Sequence, residues 1–168
     1  LPFFSMGANF IPEDNILSRI NRNRTETLIR SCKMANYNTI RVWGGGFYPT
    51  DDFYDLCDRY GLVVWQDCMF ACNAYVFNKH FEENIVAELT DNIRRLRHHA
   101  SLALWCGNNE LESAWVGWGG FLKLPPKMKN DYVHQFEYVM PRLIKKLDPQ
   151  TYFWPPSPSS FGNFDRTS

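Results

Sequence analysis

Glu110 is the residue whose position most clearly suggests chemistry. It follows an apolar run at residues 102–106, a glycine and two consecutive asparagines. A carboxyl group at the end of a buried strand is well placed to act as a general acid or base. A glutamate that begins a helix is also stabilised by the helix dipole, without any catalytic role. Position alone leaves these two interpretations about equal.

Two neighbours of Glu110 have side chains of related chemistry. Asn109 supplies an amide that could hold a sugar hydroxyl, although asparagine at such a point also caps turns. Glu112 is a second carboxylate, and we expect it to point into solvent. Asn109 therefore joins Glu110 as a candidate site residue.

Arg41 lies inside another apolar run, at residues 39–43. A buried guanidinium group needs a carboxylate partner, and Asp67 is the candidate. This pair either stabilises the fold or orients a catalytic carboxylate, and both roles can hold together.

Tryptophans form a third group of candidates. Four of them (Trp43, Trp65, Trp115 and Trp118) are expected in the core first. Trp43 and Trp118 lie at or beyond strand ends, so they are the better candidates for stacking against a sugar ring.

Cysteine and histidine spacing does not predict a metal site or a cofactor. The five cysteines are an odd number, and most lie in apolar runs, which favours reduced buried thiols. Cys68 and Cys72 are four residues apart without a second pair. His98 and His99 precede the fourth apolar run, at the end opposite Glu110, and we expect neither to be a ligand.

Composition excludes several classes of protein. The 168 residues are 45% hydrophobic, with 18 basic and 18 acidic side chains, so no electrostatic signature of nucleic-acid or anionic-membrane binding exists. No apolar run reaches the roughly 18 residues of a membrane span. The first ten residues do not resemble a signal peptide, and we expect the chain to begin within a longer protein. A soluble cytoplasmic or periplasmic enzyme is favoured, although the compartment stays open.

Short apolar runs alternate with helical patterns along the chain. The runs occupy residues 3–10, 39–43, 62–65, 102–106 and 152–154. The helical patterns occupy residues 24–36, the segment from Thr50 to Gly61, residues 78–98 and residues 129–147. Asn23 and Glu26 resemble a capping box for the first, and Pro141 predicts a kink in the last.

This alternation predicts an α/β fold with a parallel sheet, because the strands are continuously apolar. A doubly wound open sheet and a barrel both fit. No G-x-G-x-x-G follows the first strand, and polar groups end every run, which favours the barrel. A complete barrel needs roughly 200 residues or more, so residues 1–168 predict a partial (β/α)8 TIM barrel of about five βα units.

Several linked motifs resemble the β-mannosidases of glycoside hydrolase family 2. They are RVWGGGFY (residues 41–48), FYDLCDRYGLVVWQD (53–67), MFAC (69–72) and LALWCGNNE (102–110), with GANFIPED (7–14) and SPSS (157–160) in support. The resemblance covers nearly the whole chain, and the combination is far more specific than any single motif.

The resemblance implies the N-terminal part of a catalytic barrel that hydrolyses terminal β-linked mannose with retention. Glu110 matches the acid/base glutamate, and Asn109 matches the amide near the sugar 2-hydroxyl. The expected substrate-binding residues are Asn109, Arg41, Trp43, Asp67 and Trp118, the last in a variable loop. The expected partners are a β-mannoside or manno-oligosaccharide and the remaining domains of a parent enzyme.

The chain departs from this family at its nucleophile. Retaining hydrolysis needs two carboxyl groups about 5 to 5.5 Å apart, and the family's nucleophile lies on a late barrel strand. No residue here matches it, and the N-terminal sandwich domains have no counterpart. Leu111 stands where relatives often have asparagine, which is expected to alter the pocket rim.

The favoured interpretation is therefore a fragment of a retaining exo-β-mannosidase that is inactive by itself. The alternative is a non-catalytic carbohydrate-binding or self-associating half-barrel, with association through exposed sheet edges. A β-galactosidase or β-glucuronidase of the same clan is a more remote alternative.

Overall fold

A computed structural model describes residues 2–159, so position 160 of the SPSS motif lies outside the described part. One parallel sheet has the strand order β1-β2-β3-β4-β5. The strands are β1 Gly7–Phe10, β2 Thr39–Val42, β3 Val63–Asp67, β4 Leu102–Asn109 and β5 Tyr152–Ser157. Each strand lies beside the next one in the chain, as in a (β/α) barrel, whereas a doubly wound sheet reverses its order. The predicted partial barrel of five strands is confirmed.

Helices connect the strands. They are α1 Arg22–Met34, α2 Asp51–Tyr60, α3 Lys79–Leu96, α4 Leu111–Val116, α5 Pro126–Val133 and α6 Met140–Leu147. Short 3-10 turns lie at Leu17–Arg19 and Phe121–Lys123. Within residues 2–159, no helix combines the length and apolarity needed to cross a membrane.

Two predicted element starts are wrong. Strand β1 begins at Gly7, not at residue 3, and the exposed Phe3 and Phe4 precede it. The cap of α1 is Asn21, whose side chain accepts a hydrogen bond from the Arg24 backbone, and the expected capping box at Asn23 does not form. A cap forms where the backbone is still extended, and this position is two residues earlier than the apolar pattern suggested.

A π-helical turn precedes Pro141, where the sequence predicts a kink. Residues His134–Val139 form this turn between α5 and α6, and Pro141 lies in the first turn of α6. Proline has no backbone N–H and disfavours the interior of a regular helix. The wider turn accommodates the proline without ending the helix.

The two faces of the sheet have different surroundings. Ile40, Val64 and Trp105 face the helices and are buried. Arg41 and Trp65 are register partners on the opposite face, where both are only partly buried. The expected burial of both faces is therefore incomplete in the described residues. This second face is the concave side of the partial barrel and carries the candidate site.

Candidate active site

The end of β4 places Glu110 in an unusual backbone conformation. The strand continues through Asn109, three residues beyond the predicted run. Glu110 then adopts a φ of 61° and precedes the first residue of α4. Few non-glycine residues adopt this left-handed conformation, since their Cβ atom crowds the backbone. The Glu110 side chain is half-buried, so its carboxyl group lies at the surface of the site.

Hydrogen bonds to the backbone hold this turn from both sides. The Glu110 N–H donates to the carbonyl oxygen of Ser157 at the end of β5, at 3.0 Å. Its own carbonyl accepts from the Ala114 N–H at 2.9 Å and from the Ser113 hydroxyl at 3.0 Å. The turn is thus anchored to a neighbouring strand and to α4.

Arg41 and Asp67 form the ion pair that the sequence predicts. Arg41 Nη2 lies 2.7 Å from Asp67 Oδ2, and Arg41 Nε lies 3.2 Å from Oδ1. Asp67 also accepts from the Gly44 N–H at 3.1 Å and from Trp65 Nε1 at 2.9 Å. The guanidinium group lies 4.9 Å from the centroid of the Trp65 ring. Protein donors therefore surround a carboxylate whose side chain has no exposed area.

Burial is the largest influence on the pKa of Asp67. It raises the pKa of this carboxyl group above its ordinary value, and the hydrogen bonds from Arg41 oppose that change. The geometry leaves Asp67 no face toward a ligand, so its contact with the site passes through Arg41.

Arg41 also sets the orientation of the Asn109 amide. Arg41 Nη2 donates to Asn109 Oδ1 at 2.8 Å. A guanidinium group has no acceptor, so the amide oxygen must face it. Asn109 Nδ2 therefore points the other way, where it lies 3.3 Å from Cys72 Sγ. Asn109 therefore directs its NH2 group toward Cys72, and only 4% of the residue is exposed.

Cys72 belongs to this site, although the sequence did not single it out as a candidate. Its thiol is exposed and lies 4.0 Å from Glu110 Oε2. Its backbone N–H donates to the Asn109 carbonyl at 3.0 Å, and its φ is 54°. The position of Cys72 in the MFAC motif, shortly after β3, was the available sequence signal.

The two candidate stacking tryptophans lie in different surroundings. Trp43 follows β2 and is half-buried, with its ring against Gly45, where an added Cβ would lie 1.9 Å from the ring. Trp118 is 59% exposed beyond α4. The Trp118 ring packs near Phe121, with centroids 6.4 Å apart. The structure thus joins Arg41 and Asp67 to Asn109, and leaves Trp118 in the loop after α4.

The prediction that Glu112 points into solvent is wrong. Its exposure is 1%, and its Oε1 accepts a hydrogen bond from the Tyr132 hydroxyl at 3.4 Å. Leu111, which was expected to alter the pocket rim, is equally buried. The left-handed turn at Glu110 brings α4 back against β5, so both side chains are enclosed.

His98 and His99 lie away from the site. His99 is buried, with Nδ1 2.7 Å from Asp58 Oδ2, and His98 beside it is exposed. Both precede β4, at the end opposite Glu110. Among residues 2–159, no three potential metal-ligating side chains form a cluster. Cys57, Cys68 and Cys106 are free buried thiols, as most of the cysteines were expected to be.

Comparison with known proteins gives consistent matches. The family model described as glycosyl hydrolases family 2, TIM barrel domain, matches residues 20–151. A β-mannosidase from Bos taurus is 45% identical over 119 residues, which cover 70% of this chain. A β-mannosidase from Mus musculus is 40% identical over 164 residues, which cover 95% of this chain.

A solved structure agrees with these sequence matches. The β-D-mannosidase from Dictyoglomus thermophilum has a TM-score of 0.88 and 38% identity, and the match covers 97% of this chain. The matched region is 14% of the Bos taurus protein, 18% of the Mus musculus protein and 20% of the Dictyoglomus chain. The chain therefore spans about a fifth or less of the length of these relatives.

Proposed function

Because the chain belongs to the TIM-barrel domain family of glycosyl hydrolases family 2, we propose that it provides the acid/base part of a retaining exo-β-mannosidase site. The substrate would be a terminal, non-reducing β-D-mannose residue. The observation that carries this proposal is the half-buried Glu110 carboxyl group at the end of β4, beside an Asn109 amide oriented by Arg41. The names of the matched relatives support the choice of sugar.

Glu110 has two tasks in this proposal. It first donates its proton to the glycosidic oxygen as the bond to the aglycone breaks. It then removes a proton from the water that hydrolyses the glycosyl-enzyme. Both tasks need a carboxyl group at the surface of the site, and the half-buried position of Glu110 provides one.

The remaining candidates bind the sugar or orient the groups that do. Asn109 offers N–H donors to a sugar hydroxyl because its oxygen is held by Arg41. Trp43 and Trp118 provide aromatic surfaces for the apolar face of a sugar ring. Asp67 is fully buried, so we propose that it acts by holding Arg41 and does not touch the substrate.

A second carboxyl group must complete the site. Retaining hydrolysis needs a nucleophile about 5 to 5.5 Å from the acid/base, and no residue of this chain matches the glutamate expected on a late barrel strand. We propose that residues outside these 168 provide it, in a longer enzyme. The chain by itself is then expected not to hydrolyse aryl β-mannosides.

Leaving-group dependence tests the role of Glu110 in that longer enzyme. Phenyl β-D-mannoside needs a proton on its leaving oxygen, whereas 2,4-dinitrophenyl β-D-mannoside does not. Glu110→Ala should lower kcat/KM for the phenyl substrate by about 10² to 10⁴-fold and change that of the activated substrate far less. Azide, which needs no general base, should restore kcat with the activated substrate.

Two results would overturn this assignment. An equal loss of kcat/KM for both substrates would show that Glu110 supports the structure and does not transfer a proton. Turnover by the pure 168-residue chain, abolished in its Glu110→Ala variant, would show that the nucleophile lies within the chain.

The partly exposed sheet supports a second candidate function, a self-associating or carbohydrate-binding module. Strand β1 is mostly exposed, and Tyr152 on β5 is 61% exposed. Unpaired strand edges favour association with another chain. Sedimentation velocity of the chain at several concentrations would show a dimer or larger species, and a concentration-independent monomer would exclude self-association. A mannose titration that leaves a folded chain unchanged would exclude sugar binding.

A further inference from the structure

The backbone of Glu110 needs support from its surroundings. A left-handed conformation is unfavourable for a residue with a Cβ atom and persists where neighbouring groups hold it. The bonds to Ser157 and Ala114 hold the two peptide groups of this residue. A further restraint comes from a buried amide side chain that the proposed mechanism does not use.

Asn108 bridges the two sides of the Glu110 turn. Its Oδ1 atom accepts a hydrogen bond from the backbone N–H of Leu111 at 3.3 Å, so its side chain closes a loop that contains Glu110. Its Nδ2 atom lies 3.4 Å from the carbonyl oxygen of Pro155 in β5. The side chain is fully buried, and its neighbour on the strand is Asn109.

Tyr132 extends this bridge into the helical layer. Asn108 Nδ2 lies 3.4 Å from the Tyr132 hydroxyl oxygen, and that hydroxyl donates to Glu112 Oε1 at 3.4 Å. Burial, and next the Glu112 carboxylate, raise the pKa of Tyr132, so its hydroxyl keeps the proton that it donates. Residues of α4, α5 and β5 therefore all contact the Asn108 amide of β4.

We propose that Asn108 is a positioning residue for the acid/base, and that Tyr132 and Glu112 hold it in place. This inference rests on the proposed role of Glu110. Asn108 touches no substrate, because its side chain is enclosed behind the turn. It determines where the Glu110 carboxyl group points by closing the turn from residue 108 to residue 111.

A positioning role has a specific kinetic signature. Proton transfer needs the acid within hydrogen-bond reach of the leaving oxygen, and a small displacement can reduce the rate about 10²-fold. In the longer enzyme, Asn108→Leu should therefore lower kcat/KM for phenyl β-D-mannoside by about 10²-fold. The value for 2,4-dinitrophenyl β-D-mannoside should change little, since that leaving group needs no proton.

Tyr132→Phe provides a second variant that removes only a hydroxyl group. It should also lower kcat/KM for the phenyl substrate, but only by about tenfold, because it removes one buried hydrogen-bonding group. Tyr54→Phe is the matched control. The Tyr54 hydroxyl is also buried and donates to the Gln66 side-chain amide, whose Oε1 lies 2.6 Å away. This hydrogen bond joins α2 to β3 and does not involve the Glu110 turn. Tyr54→Phe should leave the ratio of the two kcat/KM values unchanged.

The outcomes separate this inference from the proposed function. If Glu110→Ala lacks the leaving-group dependence, the proposed function fails. Glu110→Ala could show the leaving-group dependence while Asn108→Leu and Tyr132→Phe lower kcat/KM equally for both substrates, or for neither. In that case the positioning role of Asn108 is wrong. If Asn108→Leu does not fold, Tyr132→Phe against Tyr54→Phe decides the question.

Discussion

The buried ion pair beneath the site allows a stability prediction that does not depend on catalysis. Asp67→Asn keeps the size of the side chain and replaces one acceptor oxygen with an NH2 group. In the unmodified chain, each Asp67 oxygen accepts from two protein donors. Oδ1 accepts from Arg41 Nε and Trp65 Nε1, and Oδ2 accepts from Arg41 Nη2 and the Gly44 N–H. Whichever way the amide is turned, its NH2 group faces two N–H donors.

The size of the effect follows from burial. Asp67 has no exposed side-chain area and Arg41 has 16%. Removing one member of a buried ion pair usually costs about 3 to 5 kcal/mol of unfolding free energy, because it leaves the other charge without its partner. Since Arg41 retains some contact with solvent, we expect about 3 kcal/mol, at the lower end of that range.

Urea denaturation measured by tryptophan fluorescence provides the assay, with six tryptophans as probes. The Asp67→Asn midpoint should fall with an unchanged slope. Glu83→Gln is the matched control, because it breaks a surface pair with Lys79 whose side chains are 64% and 90% exposed. Such pairs contribute little to stability, so its midpoint should match that of the unmodified chain. Equal midpoints for Asp67→Asn and Glu83→Gln would refute the argument from burial.

Two further predictions concern the space around two glycines and the reactivity of the cysteines. Gly44→Ala should destabilise the chain by about 1 to 3 kcal/mol, because the new Cβ would lie 2.7 and 2.9 Å from two backbone carbonyl oxygens. Gly61→Ala should lower the free energy of unfolding by only about 1 kcal/mol. Its φ of 66° disfavours alanine, but nothing lies within 4 Å of the added Cβ. A larger loss of stability at Gly61 than at Gly44 would contradict the steric reasoning. Iodoacetamide at pH 8 should alkylate the exposed Cys72 well before Cys57 or Cys106, since burial raises the pKa of Cys106 to about 12 and also raises that of Cys57. Peptide mapping by mass spectrometry measures this order, and early labelling of Cys106 in the native chain would disprove it.

The architecture was predictable because it depends on patterns that repeat along the chain. Continuous apolar runs indicate strands in a parallel sheet, and periodic apolar positions between them indicate helices. Glycine at the end of α2 has the left-handed conformation expected there, with a φ of 66° at Gly61. Element ends were less predictable, as β1 and the Asn21 cap show, because they depend on local hydrogen bonds.

The sequence by itself determined which polar residues lie in or just after the strands, and therefore which ones could meet. Arg41 and Asp67 were expected to pair because a buried guanidinium group needs a carboxylate. Glu110 and Asn109 were candidates because they follow a buried strand. Each of these inferences follows from one segment and the chemistry of its own side chains.

Only the tertiary structure decided how those side chains are used. The orientation of the Asn109 amide depends on Arg41, which is 68 residues away in the chain. The enclosure of Glu112 and the bridge from Asn108 depend on α5 packing behind the turn. Such contacts join segments that are distant in sequence, and no local pattern encodes the direction of a hydrogen bond between them.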